Sequence, residues 1–169
     1  MLFEKEKQIF LAKKDKSTKG SIDENIKSLL DKINNFQNYY TTSSCSGRIV
    51  LLDDLNKKTS KFLFVSHHTC TLPEITQNCW LLVEPPIIHV RCKDLQSAMF
   101  LLKNGVDSGF GKSGLISIEK PVLEINSTER ISNYLIPQLD RFYLNQLNEL
   151  SNKKLEKMKL KINKLYSIL

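Results

Sequence analysis

Apolar residues recur at helical spacing near both ends of the chain and at the two-residue spacing of strands between them. Ile22, Ile26, Leu29, Leu30, Ile33 and Phe36 lie along one helix face, which predicts a helix over 22–38 with Ser21 as its N-cap, preceded by a shorter helix over 2–14. The period then changes. YYTTSS (39–44), RIVLLD (48–53) and KFLFVSH (61–67) are rich in β-branched and aromatic residues, and Asp53-Asp54-Leu55-Asn56 between the last two reads as a turn, so the three are expected to form a small antiparallel meander. CWLLVE (79–84) and IIHVRC (87–92) follow as strands separated by Pro85 and Pro86. Asp94 then caps a helix whose apolar face runs Leu95, Ala98, Met99, Leu101 and Leu102 and which ends near Gly105. LISIEK (115–120), VLEINS (122–127) and ISNYLI (131–136) are the remaining strands. From Gln138 a long helix closes the chain, and within it Leu155, Met158, Ile162, Leu165 and Leu169 alternate spacings of three and four in a heptad-like stripe.

Helices at both ends of a block of strands indicate an α+β protein, a compact two-layer arrangement of a mixed sheet with flanking terminal helices. The length of 169 residues, with 41% hydrophobic and 25% charged, predicts one globular domain over 1–169. No run approaches the ~18 apolar residues of a spanning helix, and the amino terminus MLFEKEKQIF alternates charge with apolar residues. A soluble, cytoplasmic protein with no membrane contact is expected. Cys45, Cys70, Cys79 and Cys92 form no C-x-x-C pair, so neither a metal site nor a disulfide framework is indicated.

Charge adds a partner class. The net charge is +7, and residues 151–169 hold Lys153, Lys154, Lys157, Lys159, Lys161 and Lys164 against Glu156 alone. Such a run is either a solvated helix face or a contact surface for a polyanion such as RNA.

Several motif matches fail on their context. Gly109 to Gly114 satisfies G-x-G-x-x-G, but a dinucleotide fold needs a strand before it and a helix after, and here the order is helix, loop, strand. A phosphate-binding P-loop ending in Gly111-Lys112-Ser113 would need its first glycine where Val106 stands. Cys45 and Arg48 are too closely spaced for a cysteine phosphatase loop. What remains is simpler. In TTSSCSGRI (41–49), hydroxyls and backbone amides are followed by Gly47, which permits close approach, and Arg48, a planar fork for a carboxylate or phosphate. SGFGKSG (108–114) supplies Lys112 and Ser113 in a second such loop. Either loop is equally well read as a turn. His89 follows two isoleucines and, by strand alternation, faces away from Ile88, while His67 and His68 end a strand.

Taken in order, DKSTKGSIDENI (15–26), YYTTSSCSGRI (39–49), FVSH (64–67), EPPIIHVRC (84–92) and DSGFGKSG (107–114) resemble the successive blocks of the tRNA wybutosine-synthesising protein 3 family. The resemblance implies a compact α/β fold that is not a Rossmann-type methyltransferase. It also implies S-adenosylmethionine as cofactor and tRNA-Phe as partner, with N-methylation of the tricyclic wybutosine precursor 3′ of the anticodon, as by a 7-(3-amino-3-carboxypropyl)-4-demethylwyosine N4-methyltransferase. On this reading Ser43, Ser44, Ser46, Gly47 and Arg48 line the main site, with Lys112 and Ser113 opposite. His67 or His89 is the base, and Lys153, Lys154, Lys157, Lys161 and Lys164 contact RNA. Which loop holds the cofactor and which the tRNA stays open, as does the oligomeric state. A non-catalytic basic RNA-binding module, or an oligomerisation protein using the terminal heptads, would be built from the same residues without a cofactor.

Overall fold

In the computed structural model, which describes residues 2–12, 23–56 and 58–169, every expected strand is present, and the strands divide between two sheets. The elements are α1 (Leu2–Leu11), α2 (Glu24–Asn35), β1 (Tyr39–Cys45), β2 (Arg48–Leu52), β3 (Phe62–Ser66), β4 (Cys79–Glu84), β5 (Ile87–Cys92), α3 (Leu95–Asp107), β6 (Gly114–Ser117), β7 (Val122–Asn126), β8 (Ile131–Leu135) and α4 (Arg141–Ile168). One sheet has the order β1-β5-β7-β6 and the other β3-β2-β4-β8, and all their ladders are antiparallel. The α+β class holds. The mixed sheet that was expected resolves into two purely antiparallel ones.

The predicted meander needs a correction of the same kind. β2 and β3 do form the hairpin, with Leu51 opposite Phe64, but β1 leaves it and pairs with β5. The break falls at Gly47, whose φ of +89° is open to glycine at no steric cost and turns the chain between β1 and β2. Pro85 and Pro86 make the corresponding break between β4 and β5, because neither carries an N–H with which to continue a ladder.

The chain accordingly forms two compact units. The first comprises Met1–Ser46, Pro86–Thr128 and Lys159–Leu169. There Ile88, Val90 and Cys92 of β5 and Leu123 and Ile125 of β7 are buried against Ile26, Leu29, Leu30 and Ile33 of α2, Ala98 and Leu101 of α3, and Ile162 and Leu165 near the end of α4. On the opposite face of that sheet, Phe3 and Phe10 of α1 each lie 5.4 Å from the Tyr40 ring, and Arg91 stacks over Phe3 at 5.5 Å. In the second unit, Gly47–Pro85 with Glu129–Met158, Ile49, Leu51, Leu81, Val83 and Leu135 pack against Leu147, Leu155 and Met158 of α4. The irregular segment after β3 is tied to the same helix: Asn148 accepts from the Leu72 N–H, and Asn152 both accepts from and donates to the Cys70 backbone. The heptad-like stripe is therefore consumed in the chain's own cores.

Helix ends follow local chemistry. Ser21 lies outside the described residues, and Asp23 takes the N-cap position of α2 without bonding it by its side chain. α4 starts at Arg141, because Asp140 accepts from the Tyr143 N–H at 3.1 Å. α3 runs on to Asp107, past the expected stop near Gly105. At its start Asp94 accepts from the Ser97 N–H at 2.8 Å, and this bond holds the Asp94 carboxyl below its ordinary range by favouring the charged form. A depressed carboxylate stabilises the fold fully above its unfolded-state value near 4 and ceases to do so as pH falls through the lower folded-state value. Asp94→Ala is thus expected to cost about 1 kcal/mol at neutral pH. Urea melts repeated under acid conditions should show most of that difference gone.

Candidate functional site

The residues of β5 that alternate with its buried ones point away from the core, and His89 sits among them. The ladders place Ser43 of β1 opposite His89 on one side and Glu124 of β7 opposite it on the other. Ser43 Oγ lies 2.7 Å from His89 Nδ1, and His89 Nε2 lies 3.0 Å from Glu124 Oε2. The two charged-type side chains remain 29% and 30% exposed, and Ser43 is exposed. An ionised carboxylate only accepts, so the hydrogen-bond network assigns the proton to Nε2 and leaves Nδ1 to accept from the Ser43 hydroxyl.

A β-bulge makes this pairing. The register of β1 against β5 shifts between Thr41 and Ser43, so Thr42 is the extra residue and its hydroxyl donates to the His89 backbone carbonyl at 3.3 Å. Ser43, and not Thr42, is thereby turned toward the ring. Re-aiming one side chain is what a bulge beside a site does.

The network continues into the glycine-rich loop. Glu124 Oε1 accepts from Asn126 Nδ2 at 2.9 Å, the Asn126 N–H donates to Ser113 Oγ at 3.1 Å, and the Asn126 carbonyl accepts from the Lys112 N–H at 3.1 Å. The hydroxyl-rich strand and SGFGKSG, remote in sequence, are thus joined across β5 and β7. The loop is anchored by the fully buried Phe110, turns at Gly109 with φ of +96°, and is closed by Ser113 Oγ donating to the Phe110 carbonyl at 2.7 Å. The Lys112 side chain is exposed. Beside the loop's start, Asn104 Nδ2 is buried without a protein hydrogen-bond partner among the described residues.

The other expected site residues divide into engaged and open. Ser44 is exposed on β1. Ser46 is buried, and both its hydroxyl and its N–H donate to Asp23 Oδ2, at 3.1 and 3.2 Å. In the second unit Arg48 Nε donates to Glu84 Oε2 at 2.5 Å, and the guanidinium stands 5.2 Å from the Phe62 ring centre; one of its five N–H donors is used in that bond. His67 Nδ1 donates to the Gly47 carbonyl at 3.1 Å, which fixes Nδ1 as a protonated nitrogen. Glu84, Glu124, Asn126 and Asn104 were not singled out by sequence reasoning. Only the shared strand phase of IIHVRC and VLEINS hinted at Glu124.

The lysines of α4 also differ among themselves. Lys154 pairs with the largely buried Glu129 at 3.0 Å. Lys164 donates to the Asp107 carbonyl at 2.6 Å, and Lys161 lays its stem against Gly109. Lys153 and Lys157 are exposed. Among the thiols, burial pushes Cys92 up to about 12 and raises Cys70 and Cys79 as well, so these three stay protonated and are poor nucleophiles.

A family model described as Methyltransferase TYW3 matches residues 5–169. The chain is 37% identical to the tRNA(Phe) 7-((3-amino-3-carboxypropyl)-4-demethylwyosine(37)-N(4))-methyltransferase 1 of Pyrococcus horikoshii, over 88% of this chain and 85% of that protein. It is 33% identical to the tRNA wybutosine-synthesizing protein 3 homolog of Bos taurus, over 99% of this chain and 72% of the relative. A solved structure of the PH1069 protein from Pyrococcus horikoshii superposes with a TM-score of 0.85 at 35% identity, covering 98% of this chain and 93% of that one. A hypothetical protein from Aeropyrum pernix superposes with a TM-score of 0.76 at 28% identity, over 86% and 96% of the two chains. None of these likenesses is to a dinucleotide-type fold, in keeping with the helix, loop, strand order around Gly109.

The differing surroundings of the lysines have a measurable consequence. Lys154→Gln removes the ammonium facing Glu129 and should lower stability by about 1–3 kcal/mol. Lys153→Gln and Lys157→Gln should each stay within about 0.5 kcal/mol of the parent. Urea denaturation of the three variants makes the comparison.

Proposed function

We propose that this chain, which belongs to the Methyltransferase TYW3 family, is an S-adenosylmethionine-dependent methyltransferase that N-methylates the tricyclic wybutosine precursor 3′ of the anticodon in tRNA-Phe. The observation that carries the proposal is the match over residues 5–169, together with relatives named for that reaction. The exposed Ser43–His89–Glu124 row supports it from the side of chemistry.

The residues present suit the cofactor by type. Its carboxylate and ribose hydroxyls call for donors, and the first unit offers the exposed Ser43, Ser44 and Lys112 side chains and the buried amide of Asn104, whose Nδ2 has no protein partner among the described residues. An orphaned buried donor costs about 1–3 kcal/mol, and a ligand acceptor would relieve that cost. Bound S-adenosylmethionine supplies a methyl carbon on a sulfonium sulfur, which leaves with the C–S electron pair. The chain's own residues must then position the acceptor nitrogen in line and remove its proton. His89 is the better base. Its ring is oriented by two side chains, the Ser43 hydroxyl and the Glu124 carboxylate. Arg48 would hold an anionic group of cofactor or RNA, and Lys153 and Lys157, exposed and outside the contacts that engage Lys154 and Lys164, would meet phosphates.

Calorimetry should detect S-adenosylmethionine binding, and nucleosides from precursor tRNA-Phe incubated with enzyme and cofactor should gain one methyl mass. Binding of tRNA with neither cofactor binding nor methyl gain would return the non-catalytic RNA-binding module. Arg48→Ala is expected to cut kcat/KM by about 10²-fold or more while leaving the fold intact. Changing Lys153 and Lys157 to Gln should flatten the salt dependence of tRNA binding by roughly one log-log unit for each phosphate no longer neutralised, and leave cofactor affinity unchanged. An unaltered slope would make those lysines a solvated face.

A further inference from the structure

We infer that the base of this methyl transfer is a relay, in which the Ser43 hydroxyl takes the substrate proton while handing its own to His89, with Glu124 as a positioning residue. The inference rests on the methyltransferase reading of the same site. Its ground is that both ring nitrogens of His89 are engaged. Nε2 faces Glu124 at 3.0 Å and Nδ1 faces Ser43 at 2.7 Å, so the exposed reactive atom of the row is the serine oxygen and not an imidazole nitrogen. The order of groups is that of a hydroxyl, an imidazole and a carboxylate in series, with the two ring nitrogens exchanged relative to the serine hydrolase arrangement.

The proton step balances. As the N–H bond of the acceptor nitrogen breaks, its electron pair stays on that nitrogen, which bonds the methyl carbon. The departing proton forms a new O–H bond on Ser43 as the original hydroxyl proton crosses to His89 Nδ1. The serine ends neutral and the ring ends as imidazolium. That charge forms 3.0 Å from Glu124 Oε2, whose other oxygen is held by Asn126 Nδ2 at 2.9 Å. A fixed carboxylate stabilises that charge as it forms in the transfer. Asn126 is itself fixed by Ser113 Oγ, so the glycine-rich loop orients the carboxylate that orients the ring.

Two measurements test the relay, one of them without turnover. In the cofactor-free protein, imidazole ¹⁵N spectra of the neutral His89 ring should show the Nε2–H tautomer, and Glu124→Gln should weaken that preference. In single-turnover transfer to precursor tRNA-Phe, Ser43→Ala and His89→Gln should each slow the step by about 10²–10⁴-fold. The double variant should be no slower than the worse single one, because the groups act in series. Glu124→Gln should slow the step about 10–100-fold and leave KM for tRNA nearly unchanged. Ser43→Thr, which keeps a hydroxyl, should restore most of the rate that Ser43→Ala removes, and thermal melts establish that each variant is folded. An active wild type with an indifferent Ser43→Ala, additive losses in the double variant, or an Nδ1–H ring overturns the relay alone. A wild type that binds tRNA but transfers no methyl overturns the methyltransferase reading and the relay's role with it.

Discussion

The polar row depends on the pleat of β5. Ile88, Val90 and Cys92 point into a core, and His89 and Arg91 point the other way. Because side chains alternate with a period of two, a slip of one residue would expose those three apolar groups and bury an imidazole and a guanidinium. Each exposed aliphatic side chain would forfeit about 1.5–3 kcal/mol, before the desolvation of the arginine. The hydrophobic core of the first unit thus guards the register of β5 against β1 and β7, and the register sets the two hydrogen bonds of His89. The core itself holds the 2.7 and 3.0 Å contacts in place.

Much of this was legible in the chain, because it is local. Strand alternation in IIHVRC turned His89 away from the core, the Asp94 cap was visible beside its helix, and the helix, loop, strand order around Gly109 excluded a dinucleotide site. What escaped was pairing, which is not local. YYTTSSC and RIVLL adjoin in sequence and suggest a meander, yet a positive φ at Gly47 sends them to different sheets. Glu124 was only an alternate polar residue of an ordinary strand until the ladder set it beside His89. The bulge at Thr42 leaves no local trace at all, since TTSS reads the same with Ser43 or Thr42 facing the ring.

The lysine-rich helix shows the complementary difficulty with charge. A run of six lysines against Glu156 alone measures how many ammonium groups are present and not where they are committed. Lys154 is matched to Glu129, which stands on the chain segment leading into β8, and Lys164 reaches the carbonyl of the last residue of α3. The second contact also places a cation at a helix C-terminus, where the macrodipole favours it. Positive charge here is partly mortar for the fold, and the part left for a polyanion is read from exposure residue by residue.

The chemistry of methyl transfer gives a reason for a hydroxyl at the exposed end of the row. A thiolate in that place would pass a proton readily, but it is also a strong nucleophile and would compete with the acceptor nitrogen for a methyl on sulfonium. A serine oxygen stays protonated at neutral pH unless an adjacent base takes its proton, and it gives that proton up only as it receives another. Burial raises the Cys92, Cys79 and Cys70 thiols away from thiolate. The bulge that turns Ser43 toward His89 sets a serine hydroxyl beside the ring while the Thr42 hydroxyl is held on the His89 carbonyl.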